Sequence, residues 1–294
     1  MTTRTIVVGT DGTDSGKAAV RWAAREAARR QQLLRIVHAF DSEWGEARYD
    51  RGSERVEVAE QLAEAVTATA ASQATAAAPT VRIEVQTLIG RAAPELLRAA
   101  ETAELTVVGN RGRSEFASLL LGSVSQRVAT HSAGPVAVVR GRGDVTDGPI
   151  VAGVDGSPAA EHVLDTAFEL AAGRVCPLSV IRTYLPPVPL WIGDVPAADL
   201  ESLRDAAEHT ALDELVAPWS AKYPQVPVKI RVSRDSTAAV LEDASRDAQL
   251  VVVGSRGHGT ITGIMLGSTG VELLHHADCP VLIARDRPYR AAAY

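Results

Sequence analysis

A chain of 294 residues is too long for one small domain and suits two of about 100 to 200 residues, each with its own hydrophobic core. Its composition, 46% hydrophobic and 22% charged, supplies material for such cores and excludes a disordered chain. The formal net charge of −6 comes without a basic stripe able to neutralise a phosphate backbone, which argues against nucleic acid as a partner.

The N-terminus runs from Met-Thr-Thr-Arg directly into Ile6, Val7 and Val8, far less than a signal-peptide core, and no run of about 18 apolar residues follows. A cytoplasmic protein with no membrane contact is expected. In the first half, apolar runs bounded by Gly, Pro or Asp predict buried parallel strands at Ile6 to Val8, Leu33 to Phe40, Val81 to Ile89, Leu105 to Val108 and Val136 to Val139. Helices are expected between them. Ala18, Ala19, Trp22, Ala23 and Glu26 keep helical spacing behind a cap at Asp14 or Ser15. Val56, Ala59, Leu62, Ala63 and Val66 do so in the second helix, and Pro94 suits the first turn of the third.

Residues 141–149 are Gly-rich and polar and read as a linker between a first domain at 1–140 and a second at 150–286, with a tail at 287–294. The Arg-Gly-Asp at 142–144 is expected to be a flexible turn. Strands follow at Ile150 to Val154, Leu178 to Tyr184, Val228 to Val232, Leu250 to Val253 and Val281 to Ala284. This half repeats the first. IVVGTDGTDSGKAAVRWA from Ile6 returns as IVAGVDGSPAAEHVLDTA from Ile150, and the segment from Leu105 returns from Leu250, offsets of 144 and 145 residues. Alternating strands and helices with right-handed crossovers make each half an α/β, doubly wound parallel sheet, with ligands expected past the carboxyl ends of the first and fourth strands.

Those loops carry the chemistry. Gly109, Gly112, Gly122 and Ser123 in the first half match Gly254, Gly257, Gly267 and Ser268 in the second, with the spacing Gly-x2-Gly-x9-Gly-Ser. Glycines there permit a sharp turn and close approach of a ligand, and Gly-Ser opens a helix whose free N–H groups attract phosphate. Asp11 and Asp155, after the first strand of each half, suit an adenine amino group, a ribose hydroxyl or Mg²⁺, or else serve a helix dipole. Arg111 and Arg256 sit inside the glycine loops, where they neutralise phosphate or lie solvated. Trp44 and Trp191 lie in long loops that either cover a nucleotide or bury a contact between halves or subunits. Gly16-Lys17 is no P-loop, because Asp11 and Ala18 break the pattern, and neither Gly-x-Ser-x-Gly nor His-Glu-x-x-His occurs. Cys176 and Cys279 suggest neither a disulfide nor a metal site, and the adjacent His275 and His276 point too far apart to share an ion.

A strand, an Asp-Gly-Ser/Thr loop and a helix, followed about a hundred residues on by Gly-x2-Gly-x9-Gly-Ser, resembles the ATP-binding branch of the universal stress protein family, once in each half. The resemblance implies Rossmann-like, five-stranded sheets of order 3-2-1-4-5, with ATP between strands one and four and Mg²⁺ arriving with it. It implies that Asp11 and Ala39 border adenine, that Gly109 lies beside ribose, that Gly112, Gly122, Ser123 and Ser125 hold phosphates, and that Gly9, Thr10 and Val124 belong to the same ATP site. In the second half it implies Gly153, Val154, Asp155, Thr183, Gly254, Gly257, Gly267, Ser268 and Thr269. Gly270 in place of Ser125, and Arg234 in place of Gly90, are expected to weaken that second site. The halves are expected to pair through Val136 to Val139 and Val281 to Ala284, with a homodimer and an unidentified protein as further partners. The function so implied is a stress-response regulator that senses or stores adenine nucleotide at two sites per chain, with little or slow hydrolysis. An ATPase or nucleotidyl-transferring enzyme, and an interaction module without nucleotide, are the rivals.

Overall fold

Unbroken apolar runs such as Val136–Val139, VAVV, are buried along their whole length, as strands covered on both faces require. The structure is a computed structural model that describes residues 4–40, 54–112, 121–184, 197–255 and 266–285, with backbone alone at 54–60 and 197–200. The first half runs β1 (Thr5–Gly9), α1 (Asp14–Arg29), β2 (Leu33–Phe40), α2 (Glu54–Ala77), β3 (Arg82–Ile89), α3 (Ala92–Ala100), β4 (Leu105–Gly109), α4 (Ser123–His131) and β5 (Val136–Val139). The second runs β6 (Ile150–Val154), α5 (Ala159–Arg174), β7 (Leu178–Thr183), α6 (Ala197–Lys222), β8 (Val228–Ser233), α7 (Thr237–Ser245), β9 (Leu250–Gly254), α8 (Ser268–His276) and β10 (Val281–Ala284).

Each half has the order 3-2-1-4-5 in parallel strands, and the two sheets continue into one another as β3-β2-β1-β4-β5-β10-β9-β6-β7-β8. The joint is antiparallel, with Val136 opposite Ile283 and Val138 opposite Val281. Pairing these edges satisfies backbone groups that would otherwise template association. Two arginines brace the joint reciprocally. Arg140 Nη1, after β5, donates to the Leu273 carbonyl near the end of α8 at 2.9 Å. Arg285 Nη1, after β10, donates to the Ser132 carbonyl beyond α4 at 2.6 Å.

The expectation of one core per domain is corrected. Buried side chains form two clusters divided by the faces of the shared sheet. One joins Ile6, Val20, Leu34 and Ala137 to Ile150, Phe168, Leu178 and Leu282 beneath α1, α2, α5 and α6. The other joins Val7, Leu96, Val128 and Val138 to Val151, Leu241, Leu273 and Val281 beneath α3, α4, α7 and α8. Because side chains alternate along a strand, a continuous sheet creates two continuous layers.

The linker is also corrected, from a flexible turn to a pinned one. Asp144 accepts from Arg21 Nη2 at 2.7 Å and Arg25 Nη2 at 3.1 Å, Gly143 O accepts from Arg25 at 2.9 Å, and Arg142 N donates to Asp278 O. No helix among the described residues is long and apolar enough to cross a membrane.

Candidate functional site

The sheet order reverses beside β1, where the crossovers to β2 and β4 leave on opposite faces and open a crevice. A cavity of about 600 Å³ occupies it in the first half. Gly9, Thr10, Asp11, Ala39, Gly109, Arg111, Gly112, Gly122, Ser123, Val124 and Ser125 all line this one cavity. Its lining also includes Gly16, Val37, His38, Phe40, Leu62, Ala63, Ala92, Leu96 and Val108.

The loop after β1 is set by a short network. Asp11 Oδ1 accepts from Thr13 N at 3.0 Å and Thr13 Oγ1 at 2.6 Å, while Thr13 caps α1 by accepting from Gly16 N. The cap is therefore Thr13, not Asp14 or Ser15. Gly12 turns the chain at φ 81°, a region open to glycine. Ser15, the second residue of α1, donates to Asn110 Oδ1 at 2.8 Å and accepts from Arg111 N at 3.1 Å. It thereby ties the glycine loop after β4 to α1.

The glycines divide by function. A Cβ on Gly109 would stand 2.7 Å from the Ser15 carbonyl oxygen, so the approach of α1 demands glycine there. A Cβ on Gly122 would meet nothing nearer than 3.4 Å, an ordinary contact, and its φ of −75° suits any residue. Packing does not account for Gly122. It is the N-cap of α4, bonded to Asn110 O at 2.7 Å, and no side chain caps the helix behind it. The leading N–H groups of α4, at Ser123 to Ser125, thus stand at the cavity wall with the positive end of the helix dipole.

Ser125 lines the cavity as expected, and its buried hydroxyl donates to Gly109 O at 2.5 Å, which joins α4 to β4. The opposite end of the cavity is apolar, formed by Val37, Ala39, Phe40, Leu62, Ala63 and Leu96. His38, 4% exposed, is bonded through Nδ1 to Thr10 O at 2.7 Å and holds the β1 loop against β2.

In the second half, Asp155 Oδ1 accepts from Ser157 N at 3.0 Å and from the Ser157 hydroxyl, as Asp11 does from Thr13. Gly267 N donates to Ser255 O at 3.0 Å, as Gly122 does to Asn110, and Gly267 caps α8 ahead of Ser268 and Thr269. Gly153 and Val154 end β6, and Gly254 ends β9. Arg256 and Gly257 lie outside the described residues, as do Trp44 and Trp191. One correspondence is corrected. Strand register places Thr183 opposite Ser233 where Ala39 stands opposite Leu88, so Arg234 matches Ile89, and Asp235 matches Gly90.

A tandem, doubly wound α/β protein with a crevice past the carboxyl ends of its strands is the class that this geometry defines. The pattern of the universal stress protein family matches residues 2–140 and again 148–285. The chain is 32% identical over 296 residues to a universal stress protein of Mycobacterium tuberculosis, covering 95% of this chain and 96% of that one. It is 33% identical to one of Mycolicibacterium smegmatis, covering 96% and 97%. A crystal structure of a universal stress protein from Archaeoglobus fulgidus superposes with a TM-score of 0.72 over 97% of this chain and 99% of that one, at 20% identity, which shows the same fold. The chain belongs to the universal stress protein family.

Proposed function

We propose that the first half binds an adenine nucleotide, ATP foremost, as the sensing or storing step of a stress-response regulator. The observation that carries this is the cavity itself, apolar at one end and ending at the uncapped start of α4 at the other. A base buries its faces against Ala39, Leu62, Ala63 and Leu96, and phosphates take the N–H groups behind Gly122 with Arg111 beside them. Asp11 Oδ2 faces Gly112, within reach of the sugar edge. Mg²⁺ enters with the nucleotide and is held by phosphate oxygens and water.

Calorimetric titration with ATP and Mg²⁺ tests the assignment. Gly122→Glu puts a carboxylate where phosphate sits while leaving the backbone unstrained, so the folded variant loses first-half binding by a hundredfold or more, about 2.7 kcal/mol. Unchanged ATP binding by a folded variant overturns the assignment. Mass analysis of small molecules released on denaturing the purified protein identifies the resident nucleotide.

A further inference from the structure

We propose that the second half does not accept an adenine nucleotide, so that the chain holds one nucleotide rather than two, and that Arg182 and Glu208 set the difference. This rests on the nucleotide reading of the first half. Strand register makes Arg182, Thr183 and Tyr184 the counterparts of His38, Ala39 and Phe40, because Gly153 pairs with Ile181 as Gly9 pairs with Val37. Helices α2 and α6 end 145 residues apart, at Ala77 and Lys222, which makes Glu208 the counterpart of Ala63. Buried Thr67 and Leu212 agree with that offset.

In the first half Ala39, Phe40 and Ala63 belong to the apolar wall, and the His38 ring is turned to the Thr10 carbonyl. In the second half two of these positions, Arg182 and Glu208, carry charge, and all four are polar and already engaged. Arg182 Nη2 lies 3.0 Å from Glu208 Oε2, with side-chain exposures of 20% and 27%, and that oxygen is withdrawn from solvent. Thr183 and Thr237, in the places of Ala39 and Ala92, are hydrogen-bonded to each other through their hydroxyls at 2.5 Å. The Tyr184 hydroxyl donates to Asp205, which Arg234 also grips at 3.1 Å while pairing with Glu201. A base entering here meets the Glu208 carboxylate, which the negative face of an aromatic ring opposes and cannot hydrogen-bond, and burying the pair strips its remaining water without replacing it. Backbone features that serve phosphate recur in both halves, at Gly122 and Gly267. The difference therefore lies at the base end of the crevice, which selects the nucleotide.

The test is ATP stoichiometry by equilibrium dialysis on the full chain at concentrations reaching 1 mM nucleotide. The wild type is expected to bind one ATP per chain and Gly122→Glu none, with circular dichroism confirming the fold. Arg182→His with Glu208→Ala, which imports the first-half residues, is expected to raise occupancy above one. Two ATP per wild-type chain, falling to one in folded Gly122→Glu, overturns the proposal and leaves the first-half reading standing, whereas one ATP in both the wild type and the folded variant overturns the first-half reading. A wild-type chain that binds none overturns that reading and this proposal together.

Discussion

Val175 follows α5 at φ 52° and ψ 50°, the left-handed region, and is 93% exposed. A β-branched residue there crowds its own carbonyl and gains no packing in return. Glycine fits this position without that clash, although it surrenders some entropy to the unfolded chain. Val175→Gly is expected to raise stability by about 1 kcal/mol, seen as a melting temperature higher by about 2 °C in calorimetry. An unchanged or lower midpoint would show that the strain is relieved elsewhere. Glycines 109 and 122 make a sharper contrast, since the two are indistinguishable in the sequence motif. Gly109→Ala drives a methyl into the Ser15 backbone and is expected to cost roughly 1 to 3 kcal/mol of stability. Gly122→Glu is expected to leave stability nearly unchanged while removing ligand. Urea denaturation of both variants, set beside their ATP titrations, separates a glycine required by packing from one required by phosphate.

Element boundaries were legible because strands buried on both faces read as continuous Val, Ile and Leu runs, and the repeat stated each twice. The cap of α1 was not, because Thr13, Asp14 and Ser15 are all residues that cap, and the choice among them depends on where Asp11 folds back. Thr13→Ala is expected to lose about 1 kcal/mol and loosen Asp11, read as a lower urea midpoint and weaker ATP binding together. A loss of stability with affinity intact would detach the cap from the site. The glycine loops announced the phosphate end of the cavity through spacing alone. His38, Leu62, Ala63 and Leu96 carry no such signal: three are ordinary interior residues, Leu62 is an exposed helix residue, and they stand on three separate elements that only folding brings together. Counting along the chain sets Arg234 against Gly90. Register across β7 and β8, invisible to counting, moves it by one position and changes what it faces.

Across the whole molecule the halves are joined by a buried charge cluster as well as by β5 and β10. Glu26 on α1 is 2% exposed and accepts from Arg30 Nε at 2.6 Å and Arg29 Nη1 at 3.2 Å within its own helix. Arg174, from α5 of the other half, reaches it at 3.0 Å, lies over the Trp22 ring and donates to Gln249. Burial pushes the Glu26 carboxyl up, but the guanidiniums of Arg174, Arg30 and Arg29 together outweigh it and hold the pKa at about 2, against an ordinary 4.5. A carboxyl depressed on folding adds stability that is fully present above its unfolded pKa and is lost as pH falls through the folded one. The window therefore runs from about pH 5 down to about pH 2, and the contribution above it is on the order of 3 kcal/mol. Glu26→Gln leaves Arg174 buried without its counter-charge and is expected to cost about 3 to 5 kcal/mol at pH 7. Shared core layers predict that the wild type unfolds in one transition spanning both halves, and the variant exposes the junction as the weak point. Urea titrations at pH 7, 4 and 3 should show the gap between wild type and variant narrowing as acid protonates the wild-type carboxylate. A gap that is constant with pH would mean that Glu26 acts through packing and not through its charge.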